Sequence, residues 1–206
     1  MLYLVHGSGD TVDSWDNAGH ANLILDSLIA DGKARPMIVV MPAGHAVPFN
    51  AGRGGPVSNN DLFEKYLTSE VIPFVDGKYR TVANARSRAL AGLSMGGGHT
   101  IYTGFSHPEL FGALGIFSPG LVRDFDTRFK ALLADPKSFN AKIPLIWIAC
   151  GDTDTTVQYP RVKAWAESLD KAGIHETFQT YSGGHVWPVW RSSLVGFAPL
   201  LFQNKK

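Results

Sequence analysis

A serine between glycines lies near the middle of the chain, where the apolar run Ala89–Leu93 is followed by Ser94, Met95 and three glycines. The segment Gly92–Gly96 has the G-x-S-x-G form of a nucleophile elbow, a sharp strand-to-helix turn that exposes a serine hydroxyl. Side chains at positions 92 and 96 would collide with neighbouring backbone in so tight a turn. The pattern therefore predicts nucleophilic chemistry at Ser94, although five residues of this type also occur by chance in loops.

A glycine-flanked histidine near the end of the chain has the position expected of a general base. His185 directly follows Ser182–Gly184, in a loop after Thr177–Tyr181, which we predict as the last strand. On such a loop an imidazole can take the proton of Ser94 and return it to a leaving alcohol. Of the seven histidines, only His185 follows both a terminal strand and the candidate carboxylates along the chain.

Two carboxylates compete for the third place in this relay. Asp152 and Asp154 both follow the apolar run Ile143–Cys150. A carboxylate at either position could orient the imidazole and stabilise its protonated form, while the other carboxylate capped the turn. The order of serine, carboxylate and histidine along the chain is the same in both cases, so the residues alone leave the choice open.

A glycine-rich loop follows the first apolar run, Leu2–Val5, and begins at His6. A loop with few side chains lets a backbone N–H approach a carbonyl oxygen closely. We expect the N–H of Ser8, or of Gly9 as second choice, to act with the N–H of Met95 as an oxyanion hole. Taken alone, the loop would be interpreted as a glycine turn that ends a strand; its occurrence together with the serine elbow favours the oxyanion role.

The elements that must carry these loops are predicted as alternating strands and helices. Apolar runs typical of parallel strands covered on both faces occur at Leu2–Val5, Met37–Met41, Ala89–Leu93, Ala113–Phe117 and Ile143–Cys150. Helical patterns occur at Asn22–Ala30, Asp61–Val75, from Gly96 through Phe105, and at Tyr159–Ala172. Asp61 and Glu64 have capping-box spacing, and Pro73 should kink or shorten its helix. The alternation predicts an α/β fold with a doubly wound, mostly parallel sheet and a ligand site beyond the carboxyl ends of the strands.

Composition limits the class of protein. With 206 residues, 45% of them hydrophobic and 18% charged, we expect one domain over residues 1–206. The net charge of +1, without runs of like charge, argues against nucleic acid or an anionic membrane surface as a partner. No apolar stretch is long enough to span a bilayer. A single cysteine, without a His-x-x-x-His pattern or a phosphate- or dinucleotide-binding loop, gives no support for a metal or a cofactor.

Several stretches resemble the esterase branch of the α/β-hydrolases, which includes feruloyl and acetylxylan esterases of carbohydrate esterase family 1, esterase D-type enzymes, enterochelin esterases and mycobacterial mycolyltransferases. The matching stretches span nearly the whole chain and are Leu2–Gly9 with Trp15, Glu70–Val75 leading to Tyr79–Thr81, Arg88–Gly97, Ile148–Asp154 and Gly183–Trp190. The resemblance implies Ser94 as nucleophile, His185 as base and Asp154, three residues after the glycine that ends its strand, as the acid.

The resemblance also implies an activity: a serine carboxylic ester hydrolase that forms an acyl-enzyme, with feruloyl or acetyl esters of plant polysaccharide as substrates. The expected partner is a small-molecule or oligosaccharide ester. Residues expected to shape the pocket are Gly9, Trp187, and Phe49 and Arg53 of the long loop Ala43–Asn60. With Trp190, Trp187 would form an aromatic wall beside the base; packing in the core is an equal alternative for Trp187. Alternatives are an acyltransferase, a siderophore or thioester esterase of the same fold, and a non-catalytic binding module with this fold.

The chain departs from this family at its start. Members usually carry further strands before the run that matches Leu2–Val5, so we expect relatives to have extra sequence there. We also expect the sheet of this chain to end at or near Leu2–Val5 with an exposed apolar edge. Such an edge invites pairing with a second copy of the chain. Members are often secreted, but no signal-peptide pattern precedes Leu2–Val5, so the compartment stays open.

Overall fold

A parallel sheet forms the centre of the molecule. A computed structural model describes residues 1–47 and 58–203. The strands are β1 Leu2–Val5, β2 Val39–Val40, β3 Ala89–Leu93, β4 Ala113–Phe117, β5 Leu145–Gly151 and β6 Thr177–Tyr181. They lie in the order β2-β1-β3-β4-β5-β6, and every neighbouring pair is parallel. The carboxyl ends of all six strands therefore meet at one edge, as the apolar runs predicted.

Helices connect these strands in the described part of the chain. They are α1 Ser14–Asn17, α2 Ala21–Ala30, α3 Asn59–Tyr66, α4 Ile72–Lys78, α5 Met95–Ser106, α6 Phe125–Arg128, α7 Lys130–Leu133, α8 Pro136–Lys142, α9 Tyr159–Lys171 and α10 Trp187–Phe197. None of the helices in the described ranges is long and apolar enough to cross a membrane.

Two hydrophobic cores lie on opposite faces of the sheet. In β1, Tyr3 and Val5 pack into the core that α3, α4, α5 and α9 cover, while Leu2 and Leu4 pack against α1, α2 and α10. Successive residues of a strand point to opposite faces, so a strand buried on both sides must be apolar throughout. This confirms the doubly wound α/β fold.

The sheet ends near Leu2–Val5, as expected, but one short strand beyond it. β2 lies outside β1 and pairs with it, Leu2 opposite Val39 and Tyr3 opposite Val40. The predicted strand Met37–Met41 contributes only two paired residues, and prolines flank it at positions 36 and 42. Because proline has no N–H to donate, it restricts how far an edge strand can pair. Association through the edge, now β2, stays a prediction.

The predicted helix Asp61–Val75 is divided in the structure. Ser58, not Asp61, is the N-cap of α3, since its hydroxyl oxygen accepts the N–H of Asp61 at 3.2 Å. A π-helical turn over Leu67–Val71 then precedes α4, in which Pro73 occupies the second position. A proline ring clashes with the carbonyl of the fourth residue before it, so a regular α-helix cannot continue through this point. The irregularity expected at Pro73 takes the form of this π-helical turn, whereas the helix is not shortened and its cap is Ser58 rather than Asp61.

Candidate active site

The turn between β3 and α5 has the geometry of a nucleophile elbow. Ser94 has φ of 53°, a left-handed conformation that is strained for a residue with a side chain. A Cβ atom on Gly92 would lie 2.5 Å from the backbone of Gly96, and one on Gly96 would lie 2.5 Å from the carbonyl oxygen of Val5. The sequence pattern predicted this crowding, and the elbow therefore requires glycine at both positions.

Three side chains from separate strand ends meet at this elbow. His185 Nε2 lies 2.9 Å from Ser94 Oγ, and His185 Nδ1 lies 2.7 Å from Asp154 Oδ2. A neutral imidazole with its proton on Nδ1 would donate to Asp154 and accept from the Ser94 hydroxyl. This is the arrangement in which a serine can lose its proton to the ring as it attacks a carbonyl carbon.

Asp154 and Asp152 occupy different environments. Asp154 is fully buried as a side chain, and its second carboxylate oxygen accepts the N–H groups of Thr156 and Val157 at 3.0 and 3.1 Å. Asp152 is exposed and accepts the N–H of Gly183 at 2.9 Å, two residues before His185. The structure thus places Asp154 against the imidazole of His185, whereas Asp152 binds the backbone of the loop that carries His185.

The one cysteine lies behind the carboxylate. Cys150 Sγ is buried 4.0 Å from Asp154 Oδ2. Burial, with the neighbouring negative charge of Asp154, raises the pKa of this thiol to about 12. Cys150 therefore stays protonated at neutral pH and does not compete with Ser94 as a nucleophile.

The candidate oxyanion donors are the backbone N–H groups of Met95 and of the loop after β1. Met95 is the first residue of α5, so its N–H has no acceptor within the helix. In the loop after β1, the N–H of Gly9 donates to His45 Nε2 at 3.2 Å and that of Gly7 to Asp10 Oδ2 at 3.1 Å. Ser8 lies between these two and lines the same cavity as Ser94. Ser8 is therefore better placed than Gly9 to serve as the second donor.

A cavity of about 420 Å³ opens at Ser94 and His185. Its walls are formed by Gly7, Ser8, Asp10, Leu93, Ser94, His185, Val186, Trp187, Pro188 and Trp190. The Trp187 ring contacts those of Trp15 and Trp190 edge to face, with centroids 5.3 and 5.2 Å apart. Trp190 in turn packs edge to face on His185, with centroids 5.0 Å apart. The structure places the aromatic wall beside the imidazole, where the resemblance implied it.

The remaining predicted pocket residues have a mixed outcome. Phe49 and Arg53 lie outside the described residues. Gly9 lies beside the cavity, with its N–H directed to His45. Asp10, by contrast, lines the cavity and was missed, because an aspartate after glycine is typical of an ordinary turn. Within the described ranges, no group of three or more His, Cys, Asp or Glu side chains could hold a metal ion.

The parallel sheet, the elbow after β3 and the serine, histidine and aspartate at its carboxyl edge together define an α/β-hydrolase. Residues 1–201 match the sequence profile of the family described as "Putative esterase". The chain belongs to this family.

Individual relatives agree with that assignment. The chain is 37% identical over 204 residues to an endo-1,4-beta-xylanase/feruloyl esterase of Xylanibacter ruminicola, covering 98% of this chain and 26% of that protein. It therefore spans about a quarter of the length of this relative. A solved ferulic acid esterase has a TM-score of 0.77 at 26% identity, covering 97% of this chain and 83% of the other. A CE1 ferulic acid esterase from Anaeromyces mucronatus, solved in complex with ferulic acid, has a TM-score of 0.79 at 22% identity, covering 98% and 78%.

Proposed function

We propose that this chain is a serine carboxylic ester hydrolase that acts through an acyl-enzyme. The observation that supports it most is the continuous contact from Asp154 through His185 to Ser94, at the floor of an open cavity. In the first half-reaction Ser94 Oγ attacks the ester carbonyl carbon while His185 Nε2 takes the hydroxyl proton. The imidazolium then gives that proton to the leaving alkoxide, and the alcohol departs.

In the second half-reaction a water molecule takes the place of the alcohol. His185 removes a proton from water, the hydroxide attacks the acyl carbon, and Ser94 regains its proton as the acid leaves. The N–H groups of Ser8 and Met95 hold the negative oxygen in both tetrahedral intermediates. Asp154 keeps His185 in the useful tautomer and stabilises its positive charge, a role for which its burial suits it.

The proposed substrates are feruloyl or acetyl esters of plant polysaccharide. Support comes from the xylanase/feruloyl esterase relative and from the ferulic acid esterases of the same fold. The cavity also fits this chemistry, since Trp187 and Leu93 offer apolar surface beside Ser94. An aromatic acyl group would lie against that surface, while the sugar would extend into solvent.

The test is hydrolysis of p-nitrophenyl acetate and methyl ferulate by the purified chain. Wild-type protein should cleave both esters, and Ser94→Ala should lower kcat by at least about three orders of magnitude. Ser168→Ala, which removes an exposed hydroxyl on α9, is the matched control and should retain full activity. Equal hydrolysis by wild type and Ser94→Ala would refute the mechanism. Cleavage of the acetyl ester alone would refute the feruloyl assignment but not the serine esterase.

A further inference from the structure

A buried polar cluster lies behind the two candidate oxyanion donors. It consists of His6, Gly44, Asn59 and His99, and we call it the Gly44 cluster. Its members come from four separate segments: the end of β1, the stretch after β2, the start of α3 and the second turn of α5. The triad does not use any of them. Buried polar groups are costly unless they are hydrogen-bonded, so the contacts that satisfy this cluster must be specific.

The peptide groups of Gly44 are held on both sides by side chains. The Gly44 N–H donates to His6 Nε2 at 2.9 Å. The Gly44 carbonyl oxygen accepts from Asn59 Nδ2 at 2.9 Å and lies 3.0 Å from His99 Nε2. Since a carbonyl can only accept, the contacts of Gly44 assign the proton of neutral His99 to Nε2 and that of His6 to Nδ1. His99 Nδ1 then accepts a hydrogen bond from the side-chain amide of Asn60, whose Oδ1 position lies 2.9 Å away and whose oxygen and nitrogen are assigned from such contacts. Each imidazole is therefore fixed in one tautomer by Gly44.

One side of the cluster reaches the loop that contains Ser8. His6 Nδ1 lies 2.9 Å from the carbonyl oxygen of Gly7 and donates its proton to it. The carbonyl of Gly7 and the N–H of Ser8 belong to the same planar peptide unit. Holding that carbonyl therefore sets the direction of the Ser8 N–H.

The other side of the cluster reaches Met95. His99 follows Met95 by four residues on α5, so the two side chains lie on the same face of the helix. Asn59 Nδ2 lies 3.5 Å from Met95 Sδ, and Asn59 Oδ1 accepts the N–H of Ala46 at 2.9 Å. Asn59 thus links the stretch after β2 to the first turn of α5.

We propose that the Gly44 cluster positions the oxyanion hole, by holding the loop that carries Ser8 and the helix start that carries Met95 at a fixed separation. The inference rests on the proposed function. Its members are positioning residues, since none is expected to touch substrate. An oxyanion hole works only when its donors already lie where the charge will develop, so loosening their spacing should reduce stabilisation of the transition state more than binding of the substrate.

The burial of His99 supports a fixed arrangement. The ring is fully buried and stacks on Phe63, with centroids 4.2 Å apart and an angle of 8° between the planes. Desolvation lowers the pKa of His99 to about 4. The ring is therefore neutral at neutral pH.

The experiment compares His99→Leu with His99→Gln in the full chain. In Gln the distance from Cβ to the side-chain amide nitrogen is about the same as that from Cβ to Nε2 in His, so Gln can still donate to the Gly44 carbonyl. Leu has no donor. We measure kcat and KM for p-nitrophenyl acetate and the inhibition constant of an aryl trifluoromethyl ketone, which forms a tetrahedral adduct with the serine. His99→Leu should lower kcat about 10- to 100-fold, leave KM within a factor of a few, and weaken the ketone by the same factor as kcat.

His99→Gln should recover most of both losses, and His175→Leu, at an exposed site far from the elbow, should change neither. Unchanged kcat and ketone affinity in His99→Leu would overturn the proposal. So would a His99→Gln protein whose kcat and ketone affinity are as low as those of His99→Leu. Ketone binding to wild type can be followed by ¹⁹F NMR without any turnover. Failure of the proposed function would appear there as the absence of an adduct in wild type, which differs from a failure of positioning.

A second variant covers the case in which His99→Leu does not fold. Gly44→Ala would place a Cβ atom 2.9 Å from Met95 Cε and 3.2 Å from His6 Cε1. The flexible methionine can yield, but the imidazole ring would shift away from the Gly44 N–H. The same pattern is expected, with a lower kcat, weaker ketone binding and a nearly unchanged KM. Unaltered kcat in a folded Gly44→Ala protein would count against the cluster.

Discussion

The two sides of Ser94 are built in different ways. On one side, Asp154 and His185 reach the serine through direct side-chain contacts from short loops after β5 and β6. On the other side, the proposed donors are backbone N–H groups, and the side chains that we propose to position them come from segments as distant as His6 and His99. Chemistry performed by side chains can be recognised in local motifs. Chemistry performed by backbone depends on groups whose residue type gives no sign of their role.

The largest effect that separates the two sides should come from Asp154→Asn. The amide oxygen would take the place of Oδ1, which accepts the N–H groups of Thr156 and Val157, so the amide NH2 would face His185 Nδ1 and favour the wrong tautomer. The neutral amide also cannot stabilise an imidazolium by charge. We expect kcat to fall by about four orders of magnitude. Asp152→Asn is the matched control: its amide oxygen can still accept the Gly183 N–H, so kcat should change little. A greater loss in Asp152→Asn than in Asp154→Asn would reverse the assignment of the acid.

His99, on the oxyanion side of Ser94, should make the free energy of unfolding depend on pH. Burial lowers the pKa of His99 from 6.5 to about 4, and the neighbouring His6 and His45 act in the same direction. Well above pH 6.5 the ring is neutral in both the native and the unfolded chain, so its protonation does not change the free energy of unfolding. Between pH 6.5 and 4 the unfolded chain binds a proton that the native chain does not. The free energy of unfolding should therefore decrease as pH falls, by roughly 3 kcal/mol in total.

Urea unfolding at a series of pH values between 7.5 and 4 measures this term. In His99→Gln, residue 99 does not titrate between pH 7.5 and 4, so this variant should lose the part of the pH dependence that comes from His99. The control His175→Gln should retain it. The same slope in wild type and His99→Gln would show that the buried imidazole is not the source.

The smallest effect is expected at the aromatic wall of the triad side. Trp187→Ala removes edge-to-face contacts with Trp15 and Trp190, and with them one wall of the cavity. We expect kcat/KM for methyl ferulate to fall about tenfold and that for p-nitrophenyl acetate to fall less. Trp165→Ala, in the core on the opposite face of the sheet, should lower stability without changing this ratio. An equal loss for both esters would assign Trp187 to packing rather than to the acyl group.

The sequence by itself determined the sheet, the elbow and the order of the triad. β1, β3 and β4 have the bounds that their apolar runs predicted, because strands covered on both faces must be apolar throughout. Gly92 and Gly96 indicated the sharp turn, because no other residue fits there. Local sterics and continuous burial are properties of neighbouring residues, so they can be recognised in a single sequence.

Residue types and spacing alone left the choice of aspartate open, and the resemblance favoured Asp154. The tertiary structure shows that Asp154 meets His185, and it shows where the sheet ends and what contacts the loop that carries Ser8. Asp152 and Asp154 are separated by one residue, and their roles differ through burial, which depends on elements far along the chain. β2 covers β1 although prolines leave it only two paired residues. The contacts of Gly44 with His6 and His99 join residues 38 and 55 positions apart. No periodicity or spacing marks such contacts, because they arise only when the packed sheet brings the segments together.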